Sequence, residues 1–310
     1  MTALDGFDLR PGSKNRMTVK VEGTQVKMPM SIITGAEEGP TVLVTAGIHG
    51  CEYPGILALI ELTRDLEPSR IKGRLIAVHP VNTLAFTGRI SMILPEDGCN
   101  ILRVFPGSPT GSPAERVAWR ITEFQDLSDF HLDLHSGDLY EKLDAYAYVP
   151  GVGGEEVIQK SIQAVKYLNM PYFVRSMSKV GTIGSGALRG TPSILIERSG
   201  AGQCYRRDVD LYKKDLINMF KYLGLLAGEP EQPETEPVEI SGVVYLESKH
   251  NALWAPLVEV GEKVRAGQKI GEILDFFGET LETYQAEHDG VVLYRLGTLS
   301  TNAGDVLMCY

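Results

Sequence analysis

The chain has 310 residues, 43% of them hydrophobic and 23% charged, so it can bury a large core and is too ordinary in composition for a disordered, collagenous or coiled-coil protein. Thirty Lys and Arg against 40 Asp and Glu leave a net charge of −10, which opposes attraction to nucleic acid or to an anionic membrane surface. No apolar run reaches the roughly 18–20 residues of a spanning helix, and the leading MTALDGFDLRPGSKNR has no signal-like apolar stretch, so a cytoplasmic protein is expected.

Short β-branched runs alternate with helical patterns through the first two thirds of the chain. TVLVTAGI (41–48) reads as a buried strand, and PGILALIELTRDLE (54–67) carries apolar residues at helical spacing. RLIAVHPV (74–81) is a second strand. SPAERVAWRITEFQDL (112–127) is a helix with Ser112 as its cap and Pro113 at its first position, and FHLDLHS (130–136) is a third strand. A helix over 155–169, a strand over 172–177, a strand over 192–197 and a long helix over 208–226 follow. This order predicts an α/β fold over residues 1–229, with a mainly parallel or mixed sheet flanked by helices. GTIGSG (181–186) is glycine-rich but lacks the G-K-[ST] ending of a phosphate loop, and it reads as a mobile loop near the site.

GEPEQPETEP (228–237), with three prolines and four glutamates, breaks the pattern and places a linker at 230–238. Residues 239–310 then change to short β-rich runs divided by glycine turns, which predicts a small, barrel-like β-domain. VEVGEKVRAGQKIGEI and EHDGVVLYRL look like the halves of a biotinyl or lipoyl carrier, but no attachment lysine stands at a hairpin tip, so a swinging-arm role is not expected. Trp254 and Tyr284 are aromatic groups of this domain within conceivable reach of a cleft.

Ligands of parallel α/β sheets gather at the carboxyl ends of strands, and the chemically informative residues fall there. His49 and Glu52 stand in GIHGCEYPG, His135 in DLHSG and Glu197 in ILIERSG. The H-x-x-E spacing of His49 and Glu52 can aim both side chains at one spot, and His135 supplies a third ligand. Two imidazoles and a carboxylate with an open position make a catalytic zinc site. His131 shares the strand face of His135 and competes as third ligand, although the strand end favours His135. Glu197 is either a general base or a structural partner of an arginine such as Arg198. The four cysteines form no C-x-x-C pair and are expected as free thiols; Cys51, inside the H-x-x-E, reads better as a small buried residue than as a ligand. Arg175, Arg189, Arg198, Arg206 and Arg207 are candidates for an acidic-substrate pocket, with surface or ion-paired roles as the ordinary reading. Tyr146, Tyr148 and Tyr172 read as core and sheet surface.

The ordered set HGCEYPG (49–55), VNTLAF (81–86), NILRVFPG (100–107), DLHSG (133–137) and ILIERSG (194–200) resembles the succinylglutamate desuccinylase/aspartoacylase family, a branch of the M14 zinc carboxypeptidase-like enzymes. The resemblance implies one zinc ion per chain held by His49, Glu52 and His135, with Glu197 as general base. It also implies Arg103 as a binder of substrate carboxylate or backbone oxygen and Arg89 as an oxyanion stabiliser. The family often has an Asn-Arg pair before its F-P-G, whereas Leu102 precedes Arg103 here, which weakens the carboxylate grip. Asn100 is assigned to substrate binding, or alternatively to orienting His49. The expected activity is zinc-dependent hydrolysis of an amide, removing an N-acyl group from a small, anionic amino acid or amine derivative, with homo-oligomerisation compatible. The alternatives are a metallocarboxypeptidase and a catalytically altered metal-binding scaffold.

Overall fold

The structure is a computed structural model that describes residues 4–233 and 235–310. The first three residues and Glu234, which falls in the predicted linker, lie outside the described residues. The chain opens with two strands that sequence patterning did not single out, β1 (Lys14–Lys20) and β2 (Lys27–Thr34). The expected alternation follows: β3 (Glu37–Ala46), α1 (Tyr53–Asp65), β4 (Lys72–Val78), the short α2 (Thr83–Gly88), α3 (Pro113–Gln125) and β5 (Phe130–His135). Next come β6 (Glu141–Leu143), β7 (Tyr146–Pro150), α4 (Glu155–Val165), β8 (Tyr172–Ser176), α5 (Gly181–Arg189), β9 (Ser193–Glu197), α6 (Arg206–Tyr222) and β10 (Val238–Ile240).

These strands build a nine-stranded mixed sheet in the order β1-β2-β4-β3-β5-β9-β7-β8-β10. Its centre, β4-β3-β5-β9, is parallel. Strand alternation sends side chains to two cores. Val42, Val44, Leu132 and Leu134 pack with α1, α4 and α6, while Leu43, Ile76 and Val78 pack with α3 on the other face. On β5 the second face is polar, because His131, Asp133 and His135 alternate with the buried Leu132 and Leu134. The α3 start is fixed as the sequence implied: Ser112 accepts from the Glu115 amide, and Glu115 accepts from the Ser112 amide at 2.8 Å. Such a cap contributes about 1 kcal/mol.

The segment 181–186 is not a mobile loop. It is the first part of α5, buried from Gly181 to Ala187. Its glycines answer to crowding, since a Cβ on Gly184 would stand 2.1 Å from the Ser178 carbonyl oxygen. Gly184→Ala should therefore cost about 1–3 kcal/mol of stability, read as a lowered urea midpoint with an unchanged slope.

The remaining strands are β11 (Tyr245–Glu247), β12 (Ala252–Pro256), β13 (Lys263–Val264), β14 (Lys269–Leu274), β15 (Thr280–Gln285), β16 (Gly290–Val291), β17 (Tyr294–Leu296), β18 (Ser300–Thr301) and β19 (Val306–Cys309). They form separate antiparallel sheets, β11-β19-β17-β6 and β15-β14-β12-β18, plus the pair β13-β16, and do not close into one hydrogen-bonded ring. Trp254 and Tyr284, ring centroids 6.0 Å apart, sit inside this unit's own core and do not reach over a cleft. The two parts of the chain exchange strands. β6 pairs with β17 of the C-terminal part, and β10, which follows the proline-rich stretch, pairs in parallel with β8.

Candidate metal centre

The parallel strands end where the predicted site residues stand. After β3 the chain turns at Gly47, with φ of +71°, and α1 begins at Tyr53 with Pro54 in its first turn. A Cβ on Gly55 would meet the Leu134 Cβ at 2.8 Å, so glycine lets α1 come close to β5 and brings Glu52 to His135. His49, Glu52 and His135 are buried and converge, their ligand atoms lying within 4.8 Å of one another. His49 Nδ1 is 2.8 Å from Glu52 Oε1, and His135 Nδ1 is 3.0 Å from Glu52 Oε2.

The far side of each ring decides what the near side can do. Leu102 N–H donates to Asn100 Oδ1 at 2.8 Å, which identifies that atom as an acceptor. His49 Nε2, 3.1 Å away, must then donate to it. His135 Nε2 likewise donates to the Asp133 carboxylate at 3.0 Å. With Nε2 of each ring donating on the far side, each Nδ1 faces a Glu52 carboxylate oxygen, a contact that is satisfied by a proton on the ring or by a metal cation held between the two groups. Two imidazoles, each oriented from behind, and a carboxylate fit a zinc ion. Burial opposes charge on His135, but Asp133 and Glu52 hold its proton affinity well above the usual histidine value. Burial likewise opposes ionisation of Glu52, and the two imidazoles hold it in the carboxylate form.

Glu197 ends β9 directly in register with His135 on the adjacent strand, about 4.8 Å away between backbones. Its Oε2 is buried without a hydrogen-bond donor. Burial, reinforced by Glu52, Glu141 and Asp133 and offset by His135, lifts its carboxyl well above the usual range. The alternative partner is engaged elsewhere, since Arg198 binds Asp215 at 2.6 Å. His131 is not part of the cluster; its nitrogens meet Thr45 Oγ1 at 2.7 Å and Gln125 Nε2 at 2.8 Å. Cys51 is buried with its thiol toward the Ile90 carbonyl, and all four cysteines are unpaired.

Of the arginines, Arg175, Arg189, Arg198, Arg206 and Arg207 each face a carboxylate. Arg89 and Arg103 are exposed and have no ion pair among the described residues. Arg89 lies near enough to act on the Tyr53 hydroxyl, and Arg103 on those of Tyr245 and Tyr294 from the C-terminal part. Tyr245 in turn meets Tyr148 at 3.0 Å, hydroxyl to hydroxyl. Non-glycine residues in the left-handed region, Arg89, Met92, Ser199 and Ala201, flank the Arg89 and Glu197 segments. Such conformations cost about 1–3 kcal/mol each and gather at functional sites.

Two acidic groups were missed in the sequence. Asp138 is fully buried and accepts from the Met92 amide at 2.9 Å. Glu141, on β6, is raised to about 7 by burial and by the charges of Glu52 and Asp138, with His49 opposing. The only available signal was their position just past DLHSG, which does not reveal that β6 folds back beside the ligands.

The profile of the succinylglutamate desuccinylase/aspartoacylase catalytic domain matches residues 38–223. The chain is 31% identical over 292 residues to the N-alpha-acetyl-L-2,4-diaminobutyric acid deacetylase of Halomonas elongata, spanning 91% of this chain and 84% of that protein. Among solved structures, the product-bound ectoine utilization protein EutE (DoeB) from Ruegeria pomeroyi is similar at a TM-score of 0.87 and 25% identity, covering 98% of this chain and 96% of that one. A succinylglutamate desuccinylase/aspartoacylase from Rhodobacter sphaeroides shares the fold at a TM-score of 0.85 and 24% identity, with the same coverage. Strand ends that deliver a histidine–glutamate–histidine cluster, and a profile match running from β3 through α6, lead to one conclusion: the chain belongs to the succinylglutamate desuccinylase/aspartoacylase family.

Proposed function

We propose that the protein is a zinc-dependent deacylase that removes the acyl group from the α-nitrogen of a small diamino acid. The observation that carries the hydrolytic reading is the convergence of two imidazole Nδ1 atoms on Glu52, with the unpartnered carboxylate of Glu197 on the next strand. A bound zinc ion supplies Lewis acidity to the scissile carbonyl and brings the pKa of water toward about 7. Glu197 takes the proton of the attacking water and returns it to the departing nitrogen. Its burial among other carboxylates suits this task, because a carboxyl of raised proton affinity holds the proton between the two transfers. Arg103, without an acidic partner of its own, meets the substrate carboxylate. Arg89 stands toward the developing oxyanion.

Asp138 and Glu141 are the acidic groups beside the ligands that suit a second amine on the substrate. With Glu52 and Glu197 they form a cluster of carboxyl groups that raise one another's proton affinity, a setting that an anionic side chain would meet unfavourably and an ammonium favourably. A relative that deacetylates N-alpha-acetyl-L-2,4-diaminobutyric acid supports this reading, which replaces a purely anionic substrate by a zwitterionic one. The test is a hydrolysis panel of N-α-acetyl-2,4-diaminobutyrate, N-acetyl-2-aminobutyrate, which lacks the second amine, and dipeptides. The diamino substrate should turn over best and dipeptides worst. Glu141→Gln should raise KM for the diamino substrate about 10–100-fold, the scale of a charge-assisted hydrogen bond, and leave that for the aminobutyrate unchanged. Equal effects on both substrates would refute the role of Glu141, and preferred cleavage of dipeptides would refute the deacylase reading.

A further inference from the structure

Behind the ligand His135 runs a chain of polar groups, buried except for Arg189 at its outer end, whose ends have only one hydrogen-bonding role each. Arg189, a donor only, gives an N–H to Gln125 Oε1, and the Thr182 carbonyl, an acceptor only, receives one from Gln125 Nε2 at 2.8 Å. These two contacts fix which end of the Gln125 amide is oxygen. The second hydrogen of Nε2 therefore goes to His131 Nδ1, 2.8 Å away. A ring that accepts at Nδ1 carries its proton on Nε2, which donates to Thr45 Oγ1 at 2.7 Å. Thr45 Oγ1 then turns its own hydrogen to Asp133 Oδ1 at 2.6 Å. Asp133 Oδ2 accepts from Thr182 Oγ1 at 2.6 Å and from His135 Nε2 at 3.0 Å. Every proton along the path points toward Asp133, and burial, which pushes His131 down to about 4, keeps that ring neutral.

We infer that Arg189, Gln125, His131 and Thr45 are positioning residues: they form a proton-ordered chain that holds Asp133 as a fixed acceptor and so commits His135 to donate from Nε2 and to ligate through Nδ1. The sequence supports such a device only when folded. Strand alternation places His131, Asp133 and His135 on one face of β5, the β3–β5 register sets Thr45 opposite Asp133, and α3 and α5 bring Gln125, Arg189 and Thr182 over that face. Arg189 is the end of the path nearest solvent and is also paired with Asp126 at 2.7 Å. The inference rests on the metal reading of the His49, Glu52 and His135 cluster.

The test needs no substrate. In nitrogen-15 spectra of the zinc-loaded protein, His131 should be the neutral tautomer protonated at Nε2. Zinc affinity of the metal-stripped protein, measured by chelator competition, should fall about 10–100-fold in Thr45→Val, the range for partners that orient a metal ligand. Thr45→Ser, which restores the hydroxyl, should restore the affinity. Arg189→Met, a change at the chain's outer end that spares the core, should give a smaller loss of the same kind and let His131 populate both tautomers, while Arg189→Lys retains the donor. A His131 protonated at Nδ1 would overturn the proton order, as would folded Thr45→Val and Arg189→Met variants that bind zinc like the unsubstituted protein. Failure of the unsubstituted protein to bind zinc at all would instead remove the metal reading beneath it, a result distinct from equal affinities.

Discussion

Glu197→Gln should lower kcat on the best N-acyl substrate by about 10²–10⁴, the usual contribution of a positioned acid–base group, with zinc affinity and thermal midpoint nearly unchanged. The side chain keeps its shape and loses only the ability to take a proton. Because its Oε2 has no hydrogen-bond donor, no internal bond is broken by the change. The unsubstituted enzyme should show a matching pH profile. The base works ionised, and burial with neighbouring carboxylates raises its proton affinity, so the rate should fall on the acid side at a pH above the ordinary carboxylate range. A Glu197→Gln enzyme with the parental rate would refute the assignment. Glu141, raised to about 7, is the alternative source of an acid limb. Glu141→Gln should therefore leave kcat for N-acetyl-2-aminobutyrate and its acid limb intact if Glu197 is the base.

The second large effect is loss of the metal. Stripping with a chelator should abolish hydrolysis, and zinc should restore it. His49→Ala should reduce zinc affinity by more than the about 10–100-fold typical of a partner that only orients a ligand. Asn100→Ala, which removes the acceptor behind His49 Nε2, should stay within that range. The order of these two losses is diagnostic, since an equal loss in both would mean that His49 is held in place but does not ligate. Binding should strengthen as pH rises, because zinc competes with protons for the facing nitrogens, and Asp133 and Glu52 raise the proton affinity of His135. Affinity independent of pH would contradict ligation by these imidazoles.

Glu141 also has a stability consequence of definite sign. Its folded-state proton affinity is raised above that of the open chain, so the stability it permits is present below about pH 4.5 and is lost as pH rises through about 7. In the metal-free protein, Glu141→Gln should remove this loss and raise the urea midpoint at pH 8 more than at pH 5.

Much of the framework was legible from short-range pattern. The α1, α3, α4 and α6 helices and the central strands follow from apolar spacing, and the Ser112 cap from S-x-x-E. His49, Glu52, His135 and Glu197 were legible because strand ends in a parallel sheet share one edge, so their convergence follows from topology without a contact being known. GTIGSG was misread because glycine can signal either freedom or crowding, and only the Ser178 carbonyl beside Gly184 distinguishes them. The opening hairpin and β6 were missed because short or half-exposed strands carry weak periodicity.

The sequence by itself determined the α/β framework, the proline-rich break and the residue types gathered at the strand ends, because these depend on neighbours within a few positions. Only the tertiary structure decided the proton order behind His135, the return of Glu141 to the ligands and the approach of Tyr245 and Tyr294 to Arg103. Those depend on groups far apart in the chain, such as Thr45 and Asp133, 88 residues apart, whose hydrogen bonds and mutual charges exist only once the strands pair and water is excluded.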